Sequence, residues 1–159
     1  MKKPIIGVIG GSNCPIKIAK MAEEVGNLVA AGGAFLVCGG LSGVMEYACK
    51  GAKTAGGTTI GILPSMDKAD ANDYVDIPIA TGISIARNII IINTADVLIA
   101  VDGGYGTLSE MAFALNLHTP VIALHTWHLE AAGKVDDELF YVVDSAEEAV
   151  KLAYKLINL

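Results

Sequence analysis

The stretch Val97-Leu98-Ile99-Ala100-Val101-Asp102-Gly103-Gly104-Tyr105-Gly106-Thr107-Leu108-Ser109-Glu110 decides the fold. Its first five residues are apolar with no polar alternation, the pattern of a strand covered on both faces. Three glycines within four residues break the run, and helical spacing follows over residues 107–117. A buried strand, a small-residue loop and a helix therefore come in that order. The same cadence extends in both directions.

Upstream, Ile5-Ile6-Gly7-Val8-Ile9 predicts a first strand, followed by the loop Gly10-Gly11-Ser12-Asn13. Ile18, Met21, Ala22, Val25, Leu28 and Val29 recur at helical spacing, and Gly32-Gly33 stops that helix. Residues 34–38 predict a second strand. Gly39-Gly40-Leu41-Ser42-Gly43 follows, then a helix over 42–54 with Ser42 as its N-cap. Residues 58–63 predict a third strand closed by Pro64, and a short strand is expected over 74–77 after a polar loop at 67–73. Residues 83–93 are read as helix, because the strand at Val97 needs a crossover before it. Downstream come a strand over 121–124, an edge strand over 140–143 and an amphipathic helix over 145–157. The expectation is one α/β domain over residues 1–159, a doubly wound parallel sheet with helices on both faces. Such sheets bind ligands beyond the carboxyl ends of their strands, near the switch in strand order.

Composition narrows the partners. The chain has 159 residues, 53% of them hydrophobic and only 18% charged. A chain this apolar can offset its ordering entropy, which excludes disorder. It must also hide much of its surface, in a core covered on both faces, in an oligomer or both; the apolar run Ile89-Ile90-Ile91-Ile92 needs cover, and this together with the family resemblance described below implies a homodimer or higher homo-oligomer. The net charge of −6 comes with no basic stripe, which argues against nucleic acid as a partner. Small anions stay open, because backbone N–H groups hold them without lysine. Cys14, Cys38 and Cys49 form an odd set with no Cys-x-x-Cys pair, favouring a reducing compartment over a disulfide framework or zinc ribbon. The apolar run near the start is shorter than the roughly 7–15 residues of a secretory signal core. No stretch reaches the roughly 18 apolar residues of a membrane span. A cytoplasmic protein is expected.

Three glycine loops stand where a ligand is sought. Gly10, Gly11 and Ser12 leave the first strand, Gly39, Gly40 and Ser42 the second, and Gly103, Gly104, Gly106 and Thr107 the strand at Val97. Small residues let backbone approach a ligand, and a helix start attracts anions. No Gly-x-Gly-x-x-Gly and no Gly-Lys-Ser/Thr is present, so a standard dinucleotide or ATP site is poorly supported. Each loop alone reads equally as a tight turn. The three together suggest a phosphate-bearing small molecule.

Two charges call for a role. Glu110 ends Thr107-Leu108-Ser109-Glu110, the spacing of a capping box, and it reads alternatively as a carboxylate at the mouth of a site. A helix start would keep it ionised, a base or acceptor rather than a proton donor. Arg87 lies in an apolar run and needs a partner, either a structural carboxylate, an interface or a bound anion.

The loop resembles the Pro-Gly-Gly-x-Gly-Thr-x-x-Glu motif of the LOG family, the phosphoribohydrolases once mislabelled lysine decarboxylases. Arg87 matches that family's arginine, and the Gly39-Gly40 loop its earlier glycine-rich motif. The resemblance runs from Ile5 to about Leu124. It is closer still to short prokaryotic relatives grouped with the molybdenum cofactor carrier proteins, which share the Asp-Gly-Gly start of the loop and a Rossmann-like fold. The LOG resemblance implies cleavage of the N-glycosidic bond of nucleoside 5′-monophosphates. Gly103, Gly104, Gly106 and Thr107 would hold the phosphate, with Arg87 and Glu110 as the catalytic pair. The carrier resemblance implies binding of a molybdopterin-type cofactor, or nucleotide sensing, without turnover. Asp102 stands in place of the LOG proline, and Asn88 in place of the basic residue that often follows the arginine. No resident cofactor is required by either reading.

Other features are weaker. His125 and His128 have a spacing compatible with a metal but lack a third ligand, so no metal site is assigned. Trp127 can stack on a base or cover a contact. Cys14, beside the first loop, reads as a reactive thiol or an inert one. Asp136-Asp137-Glu138 reads as a solvated acidic turn.

Overall fold

The computed structural model describes residues 2–129 and 138–158. Asp136 and Asp137 of the acidic turn lie outside the described residues. The elements run β1 (Ile5–Gly10), α1 (Ile16–Ala31), β2 (Phe35–Cys38), α2 (Val44–Thr54), β3 (Thr59–Leu63), β4 (Ile77–Ala80), α3 (Asn88–Thr94), β5 (Val97–Val101), α4 (Tyr105–Asn116), β6 (Val121–Leu124), β7 (Phe140–Val143) and α5 (Ala146–Ile157). The seven strands form one sheet in the order β4-β3-β2-β1-β5-β6-β7, every pairing parallel.

The apolar runs without alternation are explained by two cores, one on each face. Ile6 and Val8 of β1 and Val97, Ile99 and Val101 of β5 pack with α1, α2 and α5. Ile9, Leu98 and Ala100 point the other way, toward Ile91 and Ile92 of α3 and Met111 and Ala114 of α4. Each fully buried Ile, Leu or Met contributes roughly 1.5–3 kcal/mol, so both faces of the central strands carry stabilising weight. This is the doubly wound arrangement with helices on both faces. β1 lies between β2 and β5, and chain order reverses there, which opens a crevice at the carboxyl ends of β1 and β5.

Three elements differ from the sequence reading. The strand expected over 74–77 is instead Ile77–Ala80. Asp76 is held outside it by bonds from the backbone N and hydroxyl of Thr59, and Pro78 is tolerated because β4 is an edge. The helix expected over 83–93 is a 3-10 turn at Ser84–Arg87 running into α3. Ser42 is not an N-cap: α2 starts at Val44, whose N–H donates to the Gly11 carbonyl at 3.0 Å. Ser42 Oγ donates instead to the Ser12 carbonyl at 2.8 Å, so the loops after β1 and β2 are stitched together.

Two glycines serve packing between helices. A Cβ at Gly26 of α1 would strike the carbonyl oxygen of Ala48, and one at Gly51 of α2 the carbonyl oxygen of Glu23. The two helices approach backbone to backbone at these points. α5 is fastened to the C-terminal end of α1 by Tyr154, whose hydroxyl donates to the Val29 carbonyl (2.6 Å) and accepts from Ala34 N (3.0 Å).

Candidate functional site

A cleft of about 460 Å³ opens at the reversal point, within the roughly 300–1,000 Å³ usual for small-molecule sites. The end of β1 and the loop after it supply Gly10, Gly11 and Ser12, and the loop after β2 supplies Gly39 and Leu41. The start of α4 supplies Gly104, Gly106, Thr107 and Glu110, and the turn into α3 supplies Ile85, Arg87 and Asn88. Val8, Ile9, Met45 and Pro64 complete an apolar lining.

Nine of the residues picked out in the sequence thus meet in one cleft, and three do not line it. Gly40 packs against Gly61 and Leu63. Ser42 joins the loops as described. Gly103 lies behind the rim with φ +102°, where a Cβ would run into Thr107. Gly104 and Gly106 are different: a Cβ on either would meet nothing within 4 Å. Gly104 has an ordinary extended backbone with φ −100°. The protein's own packing asks for neither glycine.

Arg87 faces the cleft and is held by backbone. Its Nη1 donates to the Gly39 carbonyl at 2.6 Å and to the Ile62 carbonyl, bracing the ends of β2 and β3. Its Nε is buried without a partner. Burial pulls its pKa below the ordinary guanidinium value, with the Glu110 and Cys38 charges opposing.

Glu110 is not in a capping box. α4 begins at Tyr105 with Gly104 at the N-cap, so Thr107 and Glu110 both lie inside the helix. Glu110 is buried, at 9% exposure, and makes no hydrogen bond or ion pair among the described residues. Burial pushes its pKa up to about 7 while the Arg87 charge pulls it down. The expectation of an ionised carboxylate is therefore corrected: desolvation outweighs the helix start, and the group exchanges a proton near neutrality.

Asn88 was overlooked in the sequence as a site residue. It lines the cleft beside Arg87, and its Oδ1 is buried without a partner. The available signal was a second polar residue inside an apolar run.

The loop after β6 supports the rim from behind. Thr126 Oγ1 donates to the Asp102 carbonyl (2.5 Å), and Trp127 Nε1 to the Gly104 carbonyl (3.1 Å). Trp127 also leans on Tyr105, with ring centroids 5.6 Å apart. Neither ring lines the cleft. No group of three or more His, Cys, Asp or Glu side chains is placed to hold a metal ion among the described residues. Burial, Asp102 and Glu46 push the Cys14 thiol up, so it is not an activated nucleophile. No helix among the described residues is long and apolar enough to cross a membrane.

An uncharacterized protein of Archaeoglobus fulgidus is 50% identical over 115 residues, covering 72% of this chain and 76% of that one. The molybdenum cofactor binding protein of Rippkaea orientalis superposes with a TM-score of 0.91 and 42% identity, over 99% of each chain. The molybdenum cofactor carrier protein of Chlamydomonas reinhardtii superposes with a TM-score of 0.87 and 39% identity, over 99% of this chain and 100% of that one. The SLOG cluster4 family matches residues 3–151, and the chain belongs to that family.

Proposed function

We propose that this protein binds a phosphorylated pterin-type cofactor, the molybdenum cofactor or a close analogue, in the cleft and carries it without turnover. The rim carries this reading. Space is left open at Gly104 and Gly106 where internal packing needs none, at the N-terminal end of a twelve-residue helix whose free N–H groups attract anions. The rest of the lining fits such a molecule. Apolar walls suit a flat heterocycle, and the unpartnered Arg87 Nε and Asn88 Oδ1 are polar groups that a ligand would satisfy. The relatives in Rippkaea and Chlamydomonas, named for binding or carrying the molybdenum cofactor, support the choice of cargo. When bound, the cofactor would supply redox chemistry to the enzyme that receives it. This chain's residues would position it and cover it.

The nucleoside monophosphate hydrolase reading keeps one specific support, the Arg87 and Glu110 side chains sharing the cleft with Glu110 able to exchange a proton near pH 7. A single assay separates the two. Protein incubated with AMP and GMP should show a raised melting temperature and no free base. Base release that is lost in Glu110→Gln would install the hydrolase instead.

Self-association is part of the proposal. α3 and α4 pack on one face and leave Ile85, Ile90, Phe113 and Leu117 exposed. Light scattering should give twice the mass of the chain or more. The free thiols at Cys14, Cys38 and Cys49 support a reducing, cytoplasmic setting.

A further inference from the structure

We propose that Arg87, Asn88 and Glu110 read the hydrogen-bonding edge of the bound heterocycle, and that they select one acceptor beside two donors, the 2-amino-4-oxo-pyrimidine edge common to guanine and pterins. The inference rests on the reading of the cleft as a site for a phosphorylated heterocycle, and it names which heterocycle.

The argument starts from two unfilled groups. Arg87 Nε is a buried donor with no acceptor, and Asn88 Oδ1 is a buried acceptor with no donor. They belong to consecutive residues, and both residues line the same cleft. Buried polar groups are nearly always paired, so two orphans on consecutive residues of one cleft mark a place where something else completes the pairing. Glu110 lines the cleft as well, close enough to feel the Arg87 charge, and its carboxyl also lacks a partner. Leu41, Met45, Pro64 and Ile85 supply apolar walls for a flat ring. Glu110 lies one helical turn along α4 from Gly106, so one molecule can hold its phosphate at the rim and its ring at the trio.

The three groups define a pattern. A guanidinium donates only, so it takes a ring carbonyl oxygen. The Asn88 oxygen accepts, so it takes the ring N–H beside that carbonyl. A Glu110 carboxyl oxygen takes the exocyclic amino group, in a bond that becomes charge-assisted once the acid ionises. Guanine and pterins offer carbonyl, N–H and amino group in that sequence. Hypoxanthine lacks the amino group and forfeits the Glu110 bond alone. Adenine presents a donor and an acceptor in reversed positions and would oppose Arg87 with a donor. Sites built on buried polar groups discriminate strongly, because the wrong edge leaves those groups unpaired.

GMP, IMP and AMP test this, since they share the ribose phosphate and differ at the edge. Titration calorimetry on the full chain should rank them GMP, then IMP about tenfold weaker, then AMP about a hundredfold weaker. Asn88→Ala should narrow the preference for GMP over AMP from about a hundredfold to about tenfold, and its melting temperature should not fall, because it removes an orphaned acceptor. Glu110→Leu, which offers the amino group no acceptor, should erase the preference for GMP over IMP. Equal binding of all three nucleotides, unchanged in Asn88→Ala, overturns the edge assignment and leaves the phosphate site standing. Binding of none overturns both.

Discussion

Arg87 donates from Nη1 to the carbonyl oxygen of Gly39 at 2.6 Å, and this bond makes the cleft's basic residue also the brace of the loop after β2. The same nitrogen reaches the Ile62 carbonyl of β3. Arg87→Ala strips a charged donor from two carbonyls and should destabilise the fold by about 1–3 kcal/mol, a drop of several degrees in melting temperature. Thermal unfolding at pH 7 checks this. An unchanged midpoint would show that the brace has no energetic weight.

Glu110 sets a pH dependence whose sign follows from its burial. Its carboxyl titrates at about 7 in the folded protein and from 4.5 when unperturbed. The folded state thus holds the proton more tightly than the unfolded chain, and stability falls as pH rises from about 4.5 through 7, then levels off. At about 1.4 kcal/mol per tenfold change in proton affinity, ionising Glu110 costs the fold roughly 3 kcal/mol at pH 8. Glu110→Gln should be more stable than the parent by that order at pH 8 and indistinguishable from it near pH 4. Urea unfolding at the two pH values reads the difference, and an offset equal at both would contradict the assignment.

Gly103 and Gly104 are neighbours with opposite reasons for being glycine. Gly103 has φ +102° and would drive a Cβ into Thr107, so Gly103→Ala should destabilise by about 1–3 kcal/mol. Gly104 has ordinary backbone and open space, so Gly104→Ala should leave stability within about 0.5 kcal/mol of the parent. Its effect should fall on ligand affinity. A stable Gly104→Ala variant that binds GMP as the parent does would remove the rim from the site.

The architecture was legible because its physics is local. Val97 to Val101 and the first strand read as strands covered twice, and two cores do cover them. Glycine clusters at strand ends pointed to the crevice for the same reason. What escaped depends on where helices begin and on contacts between distant segments. Thr107 and Glu110 have capping-box spacing, but Gly104 takes the cap and α4 starts two residues before Thr107, so Glu110 is carried into the cleft. Ser42 has the right chemistry for a cap, yet the Gly11 carbonyl already takes the first amide of α2. Pro78 disguised β4, which tolerates it only as an edge. Gly26 and Gly51 owe their identity to a helix crossing that no local pattern announces.

Tyr154 offers a test of the scaffold away from the cleft. Its hydroxyl bridges the Val29 carbonyl and the Ala34 amide across 125 and 120 residues of sequence. Tyr154→Phe keeps the ring and leaves both backbone groups short of a partner, so a loss of about 1–2 kcal/mol is expected. The circular-dichroism spectrum should be preserved while the urea midpoint falls. An unaltered midpoint would mean that water replaces the bridge at no cost.

The central claim, that this chain holds a phosphorylated pterin-type cofactor without consuming it, is tested most directly by native mass spectrometry of the protein freshly purified from cells supplied with molybdate. The account predicts a bound species whose mass and fluorescence after oxidation identify a pterin phosphate, absent from Arg87→Ala. Protein that emerges carrying no ligand, or carrying ribose 5-phosphate after exposure to AMP, would contradict it.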